Sequence, residues 1–82
     1  MGAGVSIDDI NLIVGLILGA RTSQPDDRLV EDLGAESVDI LNIIAALEEK
    51  YSIRIKDSEV KQGITSSDLF KIVSQKLAQK NR

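Results

Sequence analysis

One serine of this chain has a sequence context that could serve chemistry. Ser37 lies in the segment EDLGAESVDI, residues 31–40, where it follows a Gly-Ala pair and opens an apolar run. If a helix begins there, its first-turn N–H groups and the positive end of its dipole favour a phosphate, either bound or covalently attached. Two simpler interpretations stay open at this point, a helix cap and an ordinary phosphorylation site. The capping signal is incomplete, because the position three residues on is Ile40 rather than Glu or Gln.

The residue types that most catalytic sites need are missing from the sequence. It contains no histidine and no cysteine, which excludes Ser-His-Asp and Cys-His arrangements. The short Gly2-Ala3-Gly4 segment lacks the strand and helix context of a phosphate-binding loop. The acidic pairs Asp26-Asp27 and Glu31-Asp32 lack the ligand spacing of a calcium loop and indicate solvated loop charge. The sequence therefore predicts a protein that is not an enzyme and has no metal site.

Size and charge indicate the kind of partner to expect. With 82 residues, 43% of them hydrophobic, the chain is predicted to form one domain over residues 1–82. Residues 1–49 carry ten acids and two bases, a net charge of −8, whereas residues 50–82 carry three acids and eight bases, a net charge of +5. The acidic first half disfavours nucleic acid and favours basic protein partners.

The sequence shows no segment suited to export or to crossing a membrane. The apolar run from Ile10 to Leu18 is interrupted by Asn11 and Gly15, and it is too short to span a bilayer. No basic region precedes it, as a signal peptide would require. We therefore expect a cytoplasmic protein without stable membrane insertion.

The first part of the chain predicts one helix followed by a long connection. A helix should begin at Ser6, whose side chain can pair with Asp9 in a capping box, and it should end near Gly19. Residues 20–36 carry no sustained period. Within them the apolar residues Leu29, Val30 and Leu33 are expected to anchor the connection on the core. A long anchored loop that leads to Ser37 indicates a functional role for this loop.

The second part of the chain predicts a longer helix, a short one and a last one. Helical spacing of apolar residues extends from about Ser37 to Lys50. An alternating stretch over residues 51–55 follows, then a short helix over residues 57–62 closed by Gly63, then a last helix that opens with a capping box at residues 65–68. The predicted fold is all-α, a four-helix bundle of three main helices and one short one, with the long loop between helices one and two.

Two segments together resemble the acyl carrier proteins. They are residues 33–39, LGAESVD, and residues 46–51, ALEEKY, which stand at the spacing of that family's serine signature and acidic helix. The resemblance extends over nearly the whole chain. It implies that Ser37 is the attachment point for 4′-phosphopantetheine from coenzyme A, and that acyl groups are carried as thioesters on this arm. It further implies fatty acid, polyketide or related specialised acyl biosynthesis.

The resemblance also implies how partners are recognised. Glu36, Asp39, Glu48 and Glu49 match acidic positions that in the family meet Arg and Lys of partner enzymes, and Val38 supplies an apolar contact beside the serine. The implied partners are a phosphopantetheinyl transferase, acyl-loading enzymes, and acyl-transfer or synthase enzymes with basic docking patches. A monomer that docks transiently is expected, since exposed ion pairs are individually weak.

Departures from the family pattern favour a specialised carrier. The usual Asp-Ser-Leu is Glu36-Ser37-Val38, the acid usual at mid-helix is Asn42, and Ile40 stands at a position that is often polar. Two alternatives remain. An aminoacyl or peptidyl carrier more often reads Gly-Gly-x-Ser, unlike Gly34-Ala35-Glu36, and a small helical interaction domain would use Ser37 only as a cap.

Overall fold

Three α-helices and one 3₁₀ turn build the part of the chain that the computed structural model describes, residues 4–19, 26–60 and 63–80. They are α1 (Ile7–Leu18), α2 (Ser37–Tyr51), the 3₁₀ turn (Asp57–Glu59) and α3 (Ser66–Lys80). The predicted all-α class is confirmed. The short helix predicted over residues 57–62 is a single 3₁₀ turn instead, because the backbone at Val60 is already extended, with φ −97° and ψ 102°. Residues 61 and 62 lie outside the described part.

Local capping explains why α1 has the bounds that the sequence predicts. The Asp9 N–H donates to the Ser6 hydroxyl oxygen at 3.1 Å, and the Ser6 N–H donates to the Asp9 carboxylate at 3.3 Å. At the other end Gly19 adopts the left-handed conformation, φ +71°, and its N–H donates to the Gly15 carbonyl at 2.8 Å. Glycine suits this terminal position because it has no Cβ to clash.

The described part of the connection between α1 and α2 is anchored through Leu29. Its side chain is fully buried, and its N–H donates to the Ile64 carbonyl at 3.0 Å, next to an isolated bridge between Arg28 and Thr65. Leu33 packs partly buried against the same core. The expectation that Val30 also faces the core is wrong, since this side chain is 47% exposed.

Aliphatic side chains from the three α-helices and from the segments between them form one core. Among the described residues it contains Ile10, Val14, Leu29, Ala35, Ile43, Ile44, Leu47, Ile53, Ile55, Ile64, Leu69 and Val73. The segment after α2 alternates as predicted, with Ile53 and Ile55 buried and Arg54 exposed. It lies against the core without a partner strand in the described residues, and the Glu48 carboxylate accepts the Ile55 N–H at 2.8 Å. The Glu48 side chain thus accepts the backbone N–H that a neighbouring strand would otherwise bind.

Two polar links fix α3 and the end of α2. The predicted capping box at the start of α3 is confirmed, since the Thr65 N–H donates to the Asp68 carboxylate at 3.0 Å and the Asp68 N–H donates to the Thr65 hydroxyl at 3.1 Å. Near the far end of α3 the Lys80 ammonium donates to the Ser52 carbonyl at 3.0 Å. Positive charge at the C-terminus of α2 complements the helix dipole. None of the helices in residues 4–19, 26–60 and 63–80 is long and apolar enough to cross a membrane.

Candidate functional site

Ser37 is the first residue of α2, and it does not cap the helix. Glu36 occupies the N-cap position with an extended backbone, φ −96° and ψ 170°, and its N–H donates to the Asp39 carboxylate at 2.9 Å. The interpretation of Ser37 as a cap is therefore wrong, because the cap lies one residue earlier. The Ser37 side chain is exposed and makes no hydrogen bond to any residue that the structure describes.

The turn before α2 directs Ser37 outwards. Gly34 has φ +75°, a conformation that other residues adopt only with strain, and its N–H donates to the Val30 carbonyl at 3.1 Å. Ala35 comes next, is buried, and donates its N–H to the Leu29 carbonyl at 2.9 Å. Ala35 is buried in the core, and the chain runs from there to the surface, where Glu36 and Ser37 are exposed. Ser37 is therefore exposed at the first position of α2.

An apolar groove of about 500 Å³ opens beside Ser37. Its walls come from the loop before α2, from α2 itself and from the 3₁₀ turn with the residue after it. Among the described residues, those that line it are Val30, Ala35, Glu36, Ser37, Ile40, Leu41, Ile44, Asp57 and Val60. The serine hydroxyl thus lies at the rim of a space that a flexible chain attached to it could enter.

Sequence reasoning missed the far wall of this groove, Asp57 and Val60. Its position depends on packing between segments distant in the chain, which no local pattern reveals. One signal for Val30 was present: Leu29 and Leu33 are four residues apart and share the inner face of a turn, which leaves Val30 on the outside. The exposed Val30 side chain lines the groove instead of packing in the core.

The far wall is held by an ion pair. The Lys76 ammonium donates to the Glu59 carboxylate at 2.9 Å, which ties the 3₁₀ turn to α3. The Lys56 N–H donates to the same carboxylate at 3.0 Å. These two partners, the Lys56 N–H first and Lys76 second, lower the pKa of Glu59 below its usual 4.5. Glu59 is therefore ionised at neutral pH and fixes the wall that carries Asp57.

The four predicted docking acids differ in their surroundings. Glu36 and Glu49 are exposed, whereas Asp39 and Glu48 are half-buried and accept backbone N–H groups from Glu36 and Ile55. The exposed pair has the freer carboxylates for a partner. The docking role of all four stays a prediction.

Two large apolar side chains of α2 face solvent near Ser37. Val38 is 55% exposed and Leu41 is 60% exposed, and residues three apart lie on one face of a helix. The apolar residues of α2 thus lie on two faces, one that packs on the core and this exposed one. An apolar face flanked by acids is typical of a protein contact surface. No group of side chains in residues 4–19, 26–60 and 63–80 could hold a metal ion.

Comparisons with known proteins decide the family. Residues 8–73 match the family described as "Phosphopantetheine attachment site". An acyl carrier protein of Campylobacter jejuni is 34% identical over 70 residues, which covers 83% of this chain and 91% of that protein. The chain belongs to the acyl carrier protein family. An acyl carrier protein of Helicobacter pylori is 35% identical, covering 80% of this chain and 87% of its own.

A solved structure confirms the acyl carrier fold. It is the solution structure of a 3,5-dioxohexyl acyl carrier protein from the actinorhodin polyketide synthase of Streptomyces coelicolor. The two structures superpose with a TM-score of 0.75 over 96% of this chain and 98% of that one. At 23% sequence identity the likeness concerns the fold alone.

The site fits the family's cofactor, which the comparisons confirm as covalently attached 4′-phosphopantetheine. The exposed hydroxyl at the start of α2 makes no hydrogen bond with the described residues, so forming an ester on it would break none among them. The first turn of α2 supplies N–H groups and the positive end of the helix dipole to a phosphate there. The adjoining groove has an apolar lining for a carried chain. As an acyl carrier protein, the chain serves reactions that other proteins catalyse.

Proposed function

We propose that this acyl carrier protein holds its phosphopantetheine arm on the Ser37 oxygen and presents acyl thioesters to partner enzymes. The observation that carries the proposal is the separation of two roles at the entrance of α2. Glu36 and Asp39 cap the helix, so the exposed Ser37 hydroxyl is not needed for capping. When bound, the arm supplies a thiol that carries acyl groups as thioesters.

The first turn of α2 stabilises the negative phosphodiester at Ser37. Its N–H groups point towards the N-terminal end of the helix, where an anion gains roughly 0.3–1 kcal/mol from the dipole when exposed. Glu36 and Asp39 add negative charge nearby, but the Asp39 carboxylate is turned to the Glu36 N–H. The helix entrance therefore keeps its remaining donors for the phosphate.

The groove beside Ser37 shelters the carried chain. Each methylene moved from water into an apolar environment contributes about 0.8 kcal/mol. Ile40, Ile44 and Val60 offer that environment, and the open side of the groove lets the chain leave again. Such a balance suits a carrier, which must protect its cargo between enzymes and release it on docking.

Partner enzymes dock on the exposed surface around Ser37. Glu36 and Glu49 meet basic side chains of a partner, and Val38 supplies the apolar contact, while Asp39 and Glu48 add charge from half-buried positions. The partners are a phosphopantetheinyl transferase and the enzymes that load and use the acyl group. Exposed ion pairs contribute only about 0.2–1 kcal/mol each, so this docking is brief and weakens with salt.

The substitutions around the serine support a specialised acyl or polyketide pathway. Val38 is smaller than the leucine usual in the family, and Asn42 removes a charge from α2. Both residues are exposed, so they change the shape and the charge of the surface that a partner enzyme would contact. We include in the proposal a single domain over residues 1–82 that works as a monomer in the cytoplasm.

Incubation with coenzyme A and a broad-specificity phosphopantetheinyl transferase tests the attachment site. Intact mass should rise by one arm in the wild type and in Ser58→Ala, a matched control because Ser58 is an exposed serine of the 3₁₀ turn. Ser37→Ala should show no gain. A gain that persists in Ser37→Ala, or no gain in the wild type, would overturn the proposal.

A further inference from the structure

We propose that this chain has a second docking surface, opposite in charge to the acidic surface around Ser37, which binds an acidic segment of a partner protein. It is a groove of about 380 Å³ between the segment after α2 and the C-terminal half of α3. We call it the basic groove. Among the described residues, those that line it are Ser52, Ile53, Arg54, Lys76, Gln79 and Lys80.

The basic groove keeps a net positive charge. Three of its lining residues are cations, Arg54, Lys76 and Lys80. Lys76 pairs with the Glu59 carboxylate at 2.9 Å, whereas the other two form no ion pair with the described residues. All 13 aspartates and glutamates of the sequence lie in residues 4–19, 26–60 and 63–80, and the rest of the chain contains bases but no acidic side chain. Two lining cations are therefore available to the acids of a partner.

Arg54 is held at the rim of the basic groove by its neighbours. Ile53 and Ile55 are buried on either side of it. Their N–H groups donate to Glu48, that of Ile53 to the carbonyl at 3.2 Å and that of Ile55 to the carboxylate at 2.8 Å. Successive side chains of an extended segment point to opposite faces, so Arg54 is exposed. Its guanidinium offers five N–H donors in a planar fork that matches a carboxylate.

Lys80 supplies a second donor on the opposite wall. Its ammonium donates to the Ser52 carbonyl at 3.0 Å and to the Tyr51 carbonyl at 3.4 Å. Both acceptors are neutral groups, so the positive charge of Lys80 is kept, and the third N–H of the ammonium remains for a ligand. The same two bonds hold α3 against the end of α2. They therefore fix the two walls that carry Arg54 and Lys80.

The charge distribution of the chain favours a short acidic segment over a long polyanion. Residues 1–49 carry a net charge of −8, whereas residues 50–82 carry +5. Nucleic acid or an anionic membrane that extended beyond the basic groove would meet the acidic half and be repelled. A short run of glutamates or aspartates in a partner protein meets only the basic end, where the charges are complementary.

The basic groove and Ser37 lie at opposite ends of α2. This helix has 15 residues, which at about 1.5 Å per residue puts roughly 20 Å between its ends. A partner in the basic groove therefore leaves Ser37 and the exposed residues beside it accessible. One protein can thus hold the chain at its basic end while another acts on the arm, a consequence that rests on the proposed attachment at Ser37. Binding in the basic groove itself does not depend on the arm.

Titration with a defined peptide tests the proposal. The full chain, isotopically labelled for magnetic resonance, is titrated in about 0.01 M salt with a short glutamate-rich peptide, or with the same peptide in which glutamine replaces every glutamate. The wild type is compared with Arg54→Gln and with Arg28→Gln. Arg28 is exposed and is not among the lining residues, so its substitution makes the same change in net charge elsewhere.

The glutamate peptide should shift the backbone amide signals of Arg54 and Gln79 and leave those of Ser37 and Val38 in place. The glutamine peptide should shift none of them. Arg54→Gln should weaken binding of the glutamate peptide about twofold to fivefold, the effect of one exposed ion pair, and Arg28→Gln should leave it unchanged. Raising the salt to about 1 M should abolish the shifts, because the screening length falls from about 30 Å to about 3 Å.

The proposal would be overturned by unmoved signals at Arg54 and Gln79, by an equal effect of the two substitutions, or by tighter binding of an oligothymidylate of the same charge. Self-association of the chain through the same signals would assign the basic groove to a second copy and would also overturn the choice of partner. Each of these results leaves the carrier function intact, since the gain in mass at Ser37 tests that function separately.

Discussion

The Glu36 N–H donates to the Asp39 carboxylate at 2.9 Å, so α2 is capped by residues on either side of Ser37. Among the described residues the serine hydroxyl takes no part in this cap. Covalent modification of Ser37 would therefore leave the cap at the start of α2 intact. Glu36 and Asp39 stabilise the start of the helix, whereas Ser37, which lies between them, is the proposed attachment site.

Substitution of Asp39 should therefore destabilise the protein more than substitution of Ser37. Asp39→Ala removes the acceptor of the Glu36 N–H and should lower the free energy of unfolding by about 0.5–2 kcal/mol, as loss of a cap does. Ser37→Ala should change it by less than about 0.5 kcal/mol, the usual effect at an exposed position. Urea unfolding of both variants measures this. A larger loss for Ser37→Ala than for Asp39→Ala would contradict the assignment.

Substitutions of Glu48 can separate its structural contact from its charge. Glu48→Ala leaves the N–H of the buried Ile55 without its acceptor and should cost about 1–3 kcal/mol of unfolding free energy. Glu48→Gln keeps an acceptor oxygen and should cost much less, while it removes the charge offered to partners. Denaturant unfolding gives the first quantity and partner affinity the second.

Glu49 provides the control for Glu48. It is exposed, so Glu49→Ala should change the unfolding free energy by less than about 0.5 kcal/mol. Equal stability of Glu48→Ala and Glu49→Ala would show that the contact with Ile55 contributes nothing.

Removal of the Ser66 hydroxyl should stabilise the protein. Ser66 is fully buried, and its hydroxyl oxygen has no hydrogen-bond partner in the described residues. An unsatisfied buried polar group costs about 1–3 kcal/mol, and alanine also favours the helix. Ser66→Ala should therefore raise the thermal midpoint, measured by circular dichroism. Thr65→Ala, which removes the cap of α3 next to it, should lower the midpoint.

Glu59 should make stability depend on pH in the acid range. Its pKa is lowered in the folded state, first by the Lys56 N–H and then by Lys76. A lowered folded pKa means that the stabilisation is fully present above the usual value of 4.5 and is lost as pH falls through the folded value. Wild type should thus exceed Glu59→Gln in stability at pH 7, and the difference should vanish at low pH. Urea midpoints from pH 7 down to about pH 2 test this; a difference that grows as pH falls would contradict it.

Local sequence signals were sufficient for the helix ends and insufficient for the groove. The pairs Ser6 with Asp9 and Thr65 with Asp68 are three residues apart, so their capping boxes could be predicted without knowing the fold. The contact between the Leu29 N–H and the Ile64 carbonyl joins segments far apart in the chain. No periodicity encodes this contact, although the four-residue spacing of Leu29 and Leu33 gave a local signal for the outward position of Val30.

The cap of α2 was missed for a different reason. A capping pattern that starts at Ser37 meets Ile40 at its last position, whereas Glu36 and Asp39 hold that spacing one residue earlier. Similarly, the pattern over residues 57–62 indicated helix but could not show that the backbone turns extended at Val60. The start of α2 at Ser37 was predicted correctly and only its cap was misassigned, whereas for residues 57–62 the end of the element was wrong.

The link between Leu29 and Ile64 also has a consequence for biosynthesis. The loop that presents Ser37 is set only when residues 28 and 29 meet residues 64 and 65, which are synthesised after Ser37. Before that meeting a nascent chain has the serine but lacks the surface around it. A modifying enzyme that recognises this surface would therefore act only after residues 64 and 65 have docked, and attachment of the arm would mark those chains in which this contact has formed.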